Sequence, residues 1–387
     1  MYRTVLSLLL LITCFSCINR NGSSTKKELS GSISNQLKTL VKNTPDDKIP
    51  RSFDPVKGYS LVNTDDWTSG FPAGTYWYMY TLTGDSFWKG EAIKNTLKLN
   101  GIQYLTNTHD VGFMVLCSYG NAFKVTGDIA YRNVILQAAE SLSKRFNPVV
   151  GCIRSWDWGD WQFPVIIDNM MNLEILFLAS DETGNPKYRN IAVSHANTTL
   201  KNHFRDDMSS WHVVDYDTIT GKPIKKQTHQ GLNDDSAWGR GQAWGLYGFT
   251  VCYRETKDPA YLKASEKIAD FIIKNLPADG IPYWDFNDPA IPDAERDASA
   301  AAITASALYE LSGYSAKGKQ YRQVADKIIE TLSSPEYRAV NGENGGFILK
   351  HCVGDKPAGA EIDVPLNYAD YYYVEALKRK FDLKKGE

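Results

Sequence analysis

The sequence predicts an all-α protein, an (α/α)6 barrel built from six helical hairpins. Three observations lead there: a turn signal recurs along the chain, apolar and amphipathic segments alternate around it, and the connections differ sharply in length.

The signal reads TGDSFW at 83–88, TGDIAY at 126–131, TGNPKY at 183–188 and TKDPAY at 256–261, with a looser KGKQY at 317–321. Glycine ends one helix in the left-handed conformation. Asp or Asn then caps the next, and Pro186 and Pro259 take its first position. Upstream of each signal lies an apolar or aromatic segment, at roughly 68–82, 111–125, 166–181, 236–255 and 298–312, and 366–380 supplies a sixth. Downstream lies an amphipathic one, at roughly 86–99, 128–146, 186–204, 258–275 and 318–333; the sixth is 32–41, through Ile33, Leu37, Leu40 and Val41. Segments that are apolar nearly all round need cover on both sides. An inner ring of six inside an outer ring of six provides it; an open superhelix of repeats is the alternative.

Inner-to-outer turns take a few residues, whereas the returns are long, at roughly 147–165, 205–235, 276–297 and 334–365. In an alternating array all inner helices run parallel, so the long loops gather at the end holding the inner N-termini. Sites commonly sit on such loops. Seven of the ten tryptophans fall there: Trp67, Trp156, Trp158, Trp161, Trp211, Trp238 and Trp284.

A net charge of −2 argues against nucleic-acid or anionic-membrane binding through bulk electrostatics. The leader MYRTVLSLLLLITCFSC couples Arg3 to a short apolar run and reads as a secretory signal, too short to span a bilayer. Its cysteines suggest a bacterial lipoprotein, with Cys17 favoured over Cys14 as the lipid carrier; an ordinary cleaved leader is the alternative. The plan is thus a signal over 1–17, a polar linker over 18–31 and one barrel over 32–387. That implies a periplasmic or outer-membrane protein of a Gram-negative bacterium, touching membrane only through the lipid. Cys117, Cys152, Cys252 and Cys352 lack metal-ligand spacing and read as buried thiols.

The densest chemistry lies in THQGLNDDSAWGRGQAWGLYGF, residues 228–249. Asp235 or Ser236 can cap a helix there. Gly239 and Gly241 each cost a helix about 1 kcal/mol against alanine, which suggests a close approach to the backbone. Acids begin several inner helices: Asp66, Asp110, Asp168, Asp234 or Asp235, Asp297 and Asp363. Capping explains most of them. Asp110 in THDVGFM and Asp168 in PVIIDNMMNL differ, because burial between apolar runs would raise a carboxyl pKa and a second acid would raise it again. Two acids in unequal environments suit acid–base chemistry on a sugar; paired caps are the competing account. His212, His229 and Arg240 join that face and suit a substrate carboxylate or sulfate, unless Arg240 pairs internally with Asp234 or Asp235. His195 and His203 lie along an outer helix and read as structural. No metal-binding spacing, nucleophile elbow, phosphate loop or dinucleotide fingerprint is present.

These segments resemble the unsaturated glucuronyl hydrolases, glycoside hydrolase family 88, over roughly residues 50–380. The resemblance rests on THDVGFM, IIDNMMNL, HVVDYDTITGKP, the 228–249 block and IDVPLNYADYYYVEAL. It implies an (α/α)6 barrel, no cofactor, and a substrate released by a polysaccharide lyase with a C4=C5 double bond in its terminal uronic acid. It further implies that Asp168 protonates C4 and activates water while Asp110 orients and tunes it. His212, His229, Gln230, Trp238, Arg240 and Trp244 match binding positions, Arg240 and His212 for the anionic groups and the tryptophans for stacking; Trp158 joins them as a candidate at the mouth. Asn367 departs from the family pattern near the next sugar, and the basic run 221–227 could favour sulfated substrates. Competing readings are an unsaturated rhamnogalacturonyl hydrolase, a non-catalytic glycan-binding lipoprotein, and a lyase using Tyr216 and His212.

Overall fold

The computed structural model describes residues 26–383. Helix α1 spans 26–43. The first hairpin is α2 (Phe71–Thr83) and α3 (Ser86–Lys98). The second inner helix is continuous but uneven: α4 (Val111–Val115), a π turn at Leu116–Gly120 and α5 (Asn121–Thr126), followed by α6 (Ile129–Ser143). A 3-10 turn at Ile167–Asn172 leads into α7 (Leu173–Thr183), paired with α8 (Pro186–Asn202). Then come α9 (Gly239–Thr256) with α10 (Pro259–Asn275), α11 (Ala298–Leu311) with α12 (Gly318–Leu332), and α13 (Asn367–Leu383).

The inner ring closes. The α4–α5 rod packs against α2 on one side and α7 on the other; α9 meets α7 and α11; α13 packs on α11 and returns to α2. An open superhelix would leave α2 and α13 apart. Helix α1 seals the outer layer: its Ser34 accepts from Trp88 Nε1 of α3 at 2.9 Å, and its Gln36 amide donates to the carbonyl of Phe347 at 2.8 Å. Because α1 starts by residue 26, the expected linker over 18–31 overlaps its first turns. The leader and the Cys17 lipid site lie outside the described residues.

The recurrent turns form as their chemistry requires. Gly84, Gly127 and Gly184 take φ of 73°, 69° and 68°. The side chains of Asp85, Asp128, Asn185 and Asp258 each accept from the backbone N–H two residues on. In the fourth turn Lys257 takes the glycine's conformation, at φ 59°. The fifth lacks a side-chain cap.

The long returns are not bare loops, and the helical periodicity gave no hint of this. Three of them, and the connection from α1 to α2, form small antiparallel sheets: β1 (Ile49–Asp54) with β2 (Gly58–Val62), β3 (Phe146–Asn147) with β4 (Cys152–Ile153), β5 (Pro164–Ile166) with β6 (Val213–Tyr216) and β7 (Pro223–Gln227), and β8 (Cys352–Asp355) with β9 (Ala360–Val364). Long segments lying over a barrel end bury backbone polar groups, and ladders satisfy them. The four cysteines are buried and unpaired. No helix among the described residues is long and apolar enough to cross a membrane.

Candidate active site

A cavity of about 480 Å³ opens at the end where the long returns gather, and both Asp110 and Asp168 line it. Strand β5 brings Asp168 in: Ile166 pairs with Val213, and Ile167 N–H donates to the His212 carbonyl at 3.0 Å. The chain then tightens into the 3-10 turn, leaving Asp168 buried at the cavity floor. Asp110 sits at the start of α4.

Neither acid is a cap. Asp110 makes no capping hydrogen bond; it accepts from Thr108 Oγ1 at 2.9 Å and faces His109 Nε2 at 3.2 Å. Asp168 makes none either. By contrast Asp297 accepts the Ser299 N–H and caps its helix, whereas Asp66 binds the Thr68 N–H in the turn before α2, which has no side-chain cap. Asp363 does not cap: it is exposed and pairs with His351.

The environments of the pair are unequal, but in one case against expectation. Burial raises Asp110, and the charge of Asp168 adds to the effect although His109 and Thr108 oppose it. Burial also pushes Asp168 up, yet His212, His109 and Arg240 outweigh it and hold Asp168 below the usual carboxylate range. The expected upward shift of Asp168 is thereby corrected: His212 faces it and His109 and Arg240 act on it through space from separate elements, which spacing along the chain does not reveal.

Gln230, His229, Arg240 and the half-exposed Trp158 line the cavity with the two acids. Four placements differ from expectation. His212 is buried behind Asp168, its Nε2 3.5 Å from Asp168 Oδ2. Trp238 is buried too, with the His212 ring on it at 4.5 Å and the Arg240 guanidinium at 4.5 Å, so it supports those residues and is not open to a sugar. Trp244 is fully buried between Phe113 and Tyr372, in an aromatic plug along the barrel axis. Arg240 pairs with neither Asp234 nor Asp235; it donates to the carbonyls of Val353 and Gly354, the latter at 2.7 Å, and lies 3.6 Å from Asp297.

Other expectations also change. Helix α9 begins after Trp238 with no side-chain cap, so neither Asp235 nor Ser236 serves; Ser236 instead donates to Asp285 at 2.7 Å. The glycines of α9 admit other parts of the protein: a Cβ on Gly239 would lie 2.5 Å from the Tyr283 carbonyl oxygen. Asn367 is buried and donates to the carbonyls of Pro50 and Thr68, away from the cavity. The basic run forms β7 at a sheet edge and lines no part of the cavity. Tyr216 is fully buried on the opposite face of that sheet, stacked on His203, which leaves a lyase reading without its tyrosine.

Two lining residues had no sequence signal. Arg51 in β1 binds Glu361 at 2.8 Å and Asp66 at 2.9 Å, and Asp355 enters from β8. Both come from sheets that the helical reading treated as connections.

The comparisons with known proteins agree with this geometry. The family model described as Glycosyl Hydrolase Family 88 matches residues 46–384. An unsaturated glucuronyl hydrolase of Formosa agariphila is 50% identical over 327 residues, covering 83% of this chain and 82% of that protein. An unsaturated chondroitin disaccharide hydrolase of Streptococcus pneumoniae is 34% identical over 92% of both chains. Among solved structures, an unsaturated glucuronyl hydrolase specific for heparin is 51% identical with a TM-score of 0.91, covering 93% of this chain and 98% of that one. An aspartate-to-asparagine variant of the Streptococcus agalactiae enzyme in complex with dGlcA-GalNAc6S is 29% identical with a TM-score of 0.80, covering 92% and 91%. Fold, cavity and sequence together make this chain a member of glycoside hydrolase family 88.

Proposed function

We propose that the protein is an unsaturated glucuronyl hydrolase acting on lyase-generated oligosaccharides, with glycosaminoglycan disaccharides as its substrate class. The observation that carries this reading is a pair of non-capping carboxylates, one held up and one held down, over a single open cavity. The names of the similar proteins support the substrate class.

In this reading the terminal uronic acid lies over Asp168, with Gln230 and Arg240 beside it and Trp158 at the rim. A proton passes from the carboxyl pair to C4 of the vinyl ether, and the resulting cation at C5 takes up water, whose proton returns to the pair. The hemiketal at C5 opens to a C5 ketone and a C1 hemiacetal, which collapses to the C1 aldehyde and releases the shortened glycan, leaving the 4-deoxy keto sugar. No anomeric substitution occurs and the proton count closes. Two neighbouring acids share one proton and titrate as a unit. Burial favours it on Asp110; a substrate carboxylate beside Asp168, drawing on the field of Arg240, raises Asp168 and shifts the proton toward it.

Loss of absorbance from the conjugated double bond of an unsaturated disaccharide tests this directly. Asp168→Asn keeps the shape and removes the transferable proton, so activity should fall by about 10²- to 10⁴-fold. Near-full activity in that variant refutes the role of Asp168. Export and a lipid on Cys17 complete the proposal, supported by the leader sequence; mass measurement of the mature N-terminus checks them.

A further inference from the structure

Asp110 and Asp168 are each backed by a buried histidine, and the two arrangements match. Behind Asp168, His212 Nδ1 accepts the backbone N–H groups of His229 at 3.2 Å and Gln230 at 3.1 Å. Backbone amides only donate, so Nδ1 is unprotonated and the ring's proton is on Nε2, which faces Asp168 Oδ2 at 3.5 Å. Behind Asp110, Asn172 Oδ1 accepts the Phe113 N–H at 2.7 Å, which fixes the orientation of the amide. Its NH2 group therefore faces His109 Nδ1 at 3.2 Å, and the His109 proton is on Nε2, 3.2 Å from Asp110 Oδ1. Gly112 makes this relay possible, because a Cβ there would overlap the Asn172 side chain.

Both rings are almost wholly buried, at 1% and 2% exposure for His109 and His212. His212 Nε2 and Asp168 Oδ2 have no other hydrogen-bond partner, and Asn169 is a further acceptor beside His109. Hydrogen bonds of this kind are often long in a free enzyme and tighten around the substrate.

We propose that His109 and His212 are paired positioning residues, each neutral and locked as the Nε2–H tautomer, which aim one N–H at Asp110 and one at Asp168 and exchange no proton during turnover. This departs from the expectation that His212 contacts the substrate. It also gives a physical use for the His229–Gln230 turn, whose amides set the tautomer while the Gln230 and His229 side chains line the cavity. The charged groups acting on the acids are Arg240 on Asp168, and Asp168 and Asp66 on Asp110.

The inference rests on the carboxylate pair being the reacting groups, but one of its tests does not. In the wild-type protein labelled with ¹⁵N-histidine, long-range ¹H–¹⁵N correlation should show His109 and His212 each with a protonated Nε2 and a pyridine-type Nδ1 near neutral pH. An Nδ1–H tautomer or an imidazolium at either position overturns the proposal, whatever Asp168→Asn does. The kinetic test uses amide mimicry. A glutamine NH2 reaches the place of Nε2–H, whereas an asparagine reaches only that of Nδ1. His212→Gln should keep kcat within about tenfold of wild type, and His212→Asn should lose at least about a hundredfold with KM little changed. The acid limb of the pH profile should move upward in His212→Asn and stay in place in His212→Gln, since only the former leaves Asp168 without its donor. A ring that merely braces the His229–Gln230 turn predicts the reverse order, because asparagine preserves the acceptor; that order, or an unmoved acid limb, overturns the assignment. The same contrast applies to His109→Gln and His109→Asn.

Discussion

Nε2 of His229 lies 4.0 Å from Oδ2 of Asp355, across the cavity mouth between the loop before α9 and strand β8. The rim around this pair is acidic. Asp65, Asp66 and Asp355 line it, and Arg51 is already engaged by Asp66 and Glu361. A sulfate on the substrate therefore meets like charge. The unsulfated unsaturated disaccharide should show the higher kcat/KM, by about fivefold for each contact of about 1 kcal/mol. Asp355→Asn should narrow the ratio between the two substrates. Equal rates in the wild type would show that the acidic rim does not discriminate against sulfate.

The carboxyl pair predicts a bell-shaped pH profile. Burial holds Asp110 above the usual range, so activity falls on the alkaline side as Asp110 ionises. Asp168 is held low by the groups around it, so activity falls on the acid side as it takes a second proton into the pair. In Asp110→Asn the proton must come from Asp168 alone, so the acid limb should vanish and the alkaline limb should move to lower pH. An alkaline limb that stays in place in this variant assigns it to another group.

Arg240 ties the β8–β9 hairpin to α9 through two backbone carbonyls. The hairpin is strained, with Glu361 at φ 54° and Asp363 at φ 55°, and such residues cost of order 1 kcal/mol each unless their surroundings hold them. Lysine carries the charge but not the fork, so Arg240→Lys should destabilise the protein by about 2–3 kcal/mol and raise KM. Thermal unfolding and limited proteolysis within 352–364 measure it. An unchanged melting temperature would mean that the hairpin is held without Arg240.

His351 closes the base of that hairpin, its Nδ1 2.6 Å from Asp363 Oδ1. The hydrogen bond to Asp363 raises the His351 pKa, with the charge of Asp363 adding to it and partial burial opposing. A group raised on folding stabilises fully below its unfolded pKa of about 6.5, and the contribution is lost as pH rises through the folded value. The wild-type melting temperature should therefore contain a component that declines from about pH 6 upward through neutrality. His351→Gln should lack that component. Identical pH dependence in both proteins rules it out.

Much of the fold is local and was legible for that reason. A turn such as Thr183–Gly184–Asn185–Pro186 uses groups within three residues, so φ at Gly184 and the cap at Asn185 follow from identity alone. Helix direction and loop asymmetry then fix the end at which the site forms. The sheets were hidden because their pairing is remote: β5 meets β6 some fifty positions later, and neither strand is long enough to show a period.

The sequence by itself determined six hairpins, the mouth, and the two acids that no helix needs. Tertiary structure alone decided what those acids are. Asp168 lies low because His212, His109 and Arg240 converge on it from separate elements, and Trp244 leaves the site because the aromatic plug claims its ring. A carboxylate's affinity for its proton depends on fields summed over space, and spacing along a chain encodes only the neighbours within a turn or a strand.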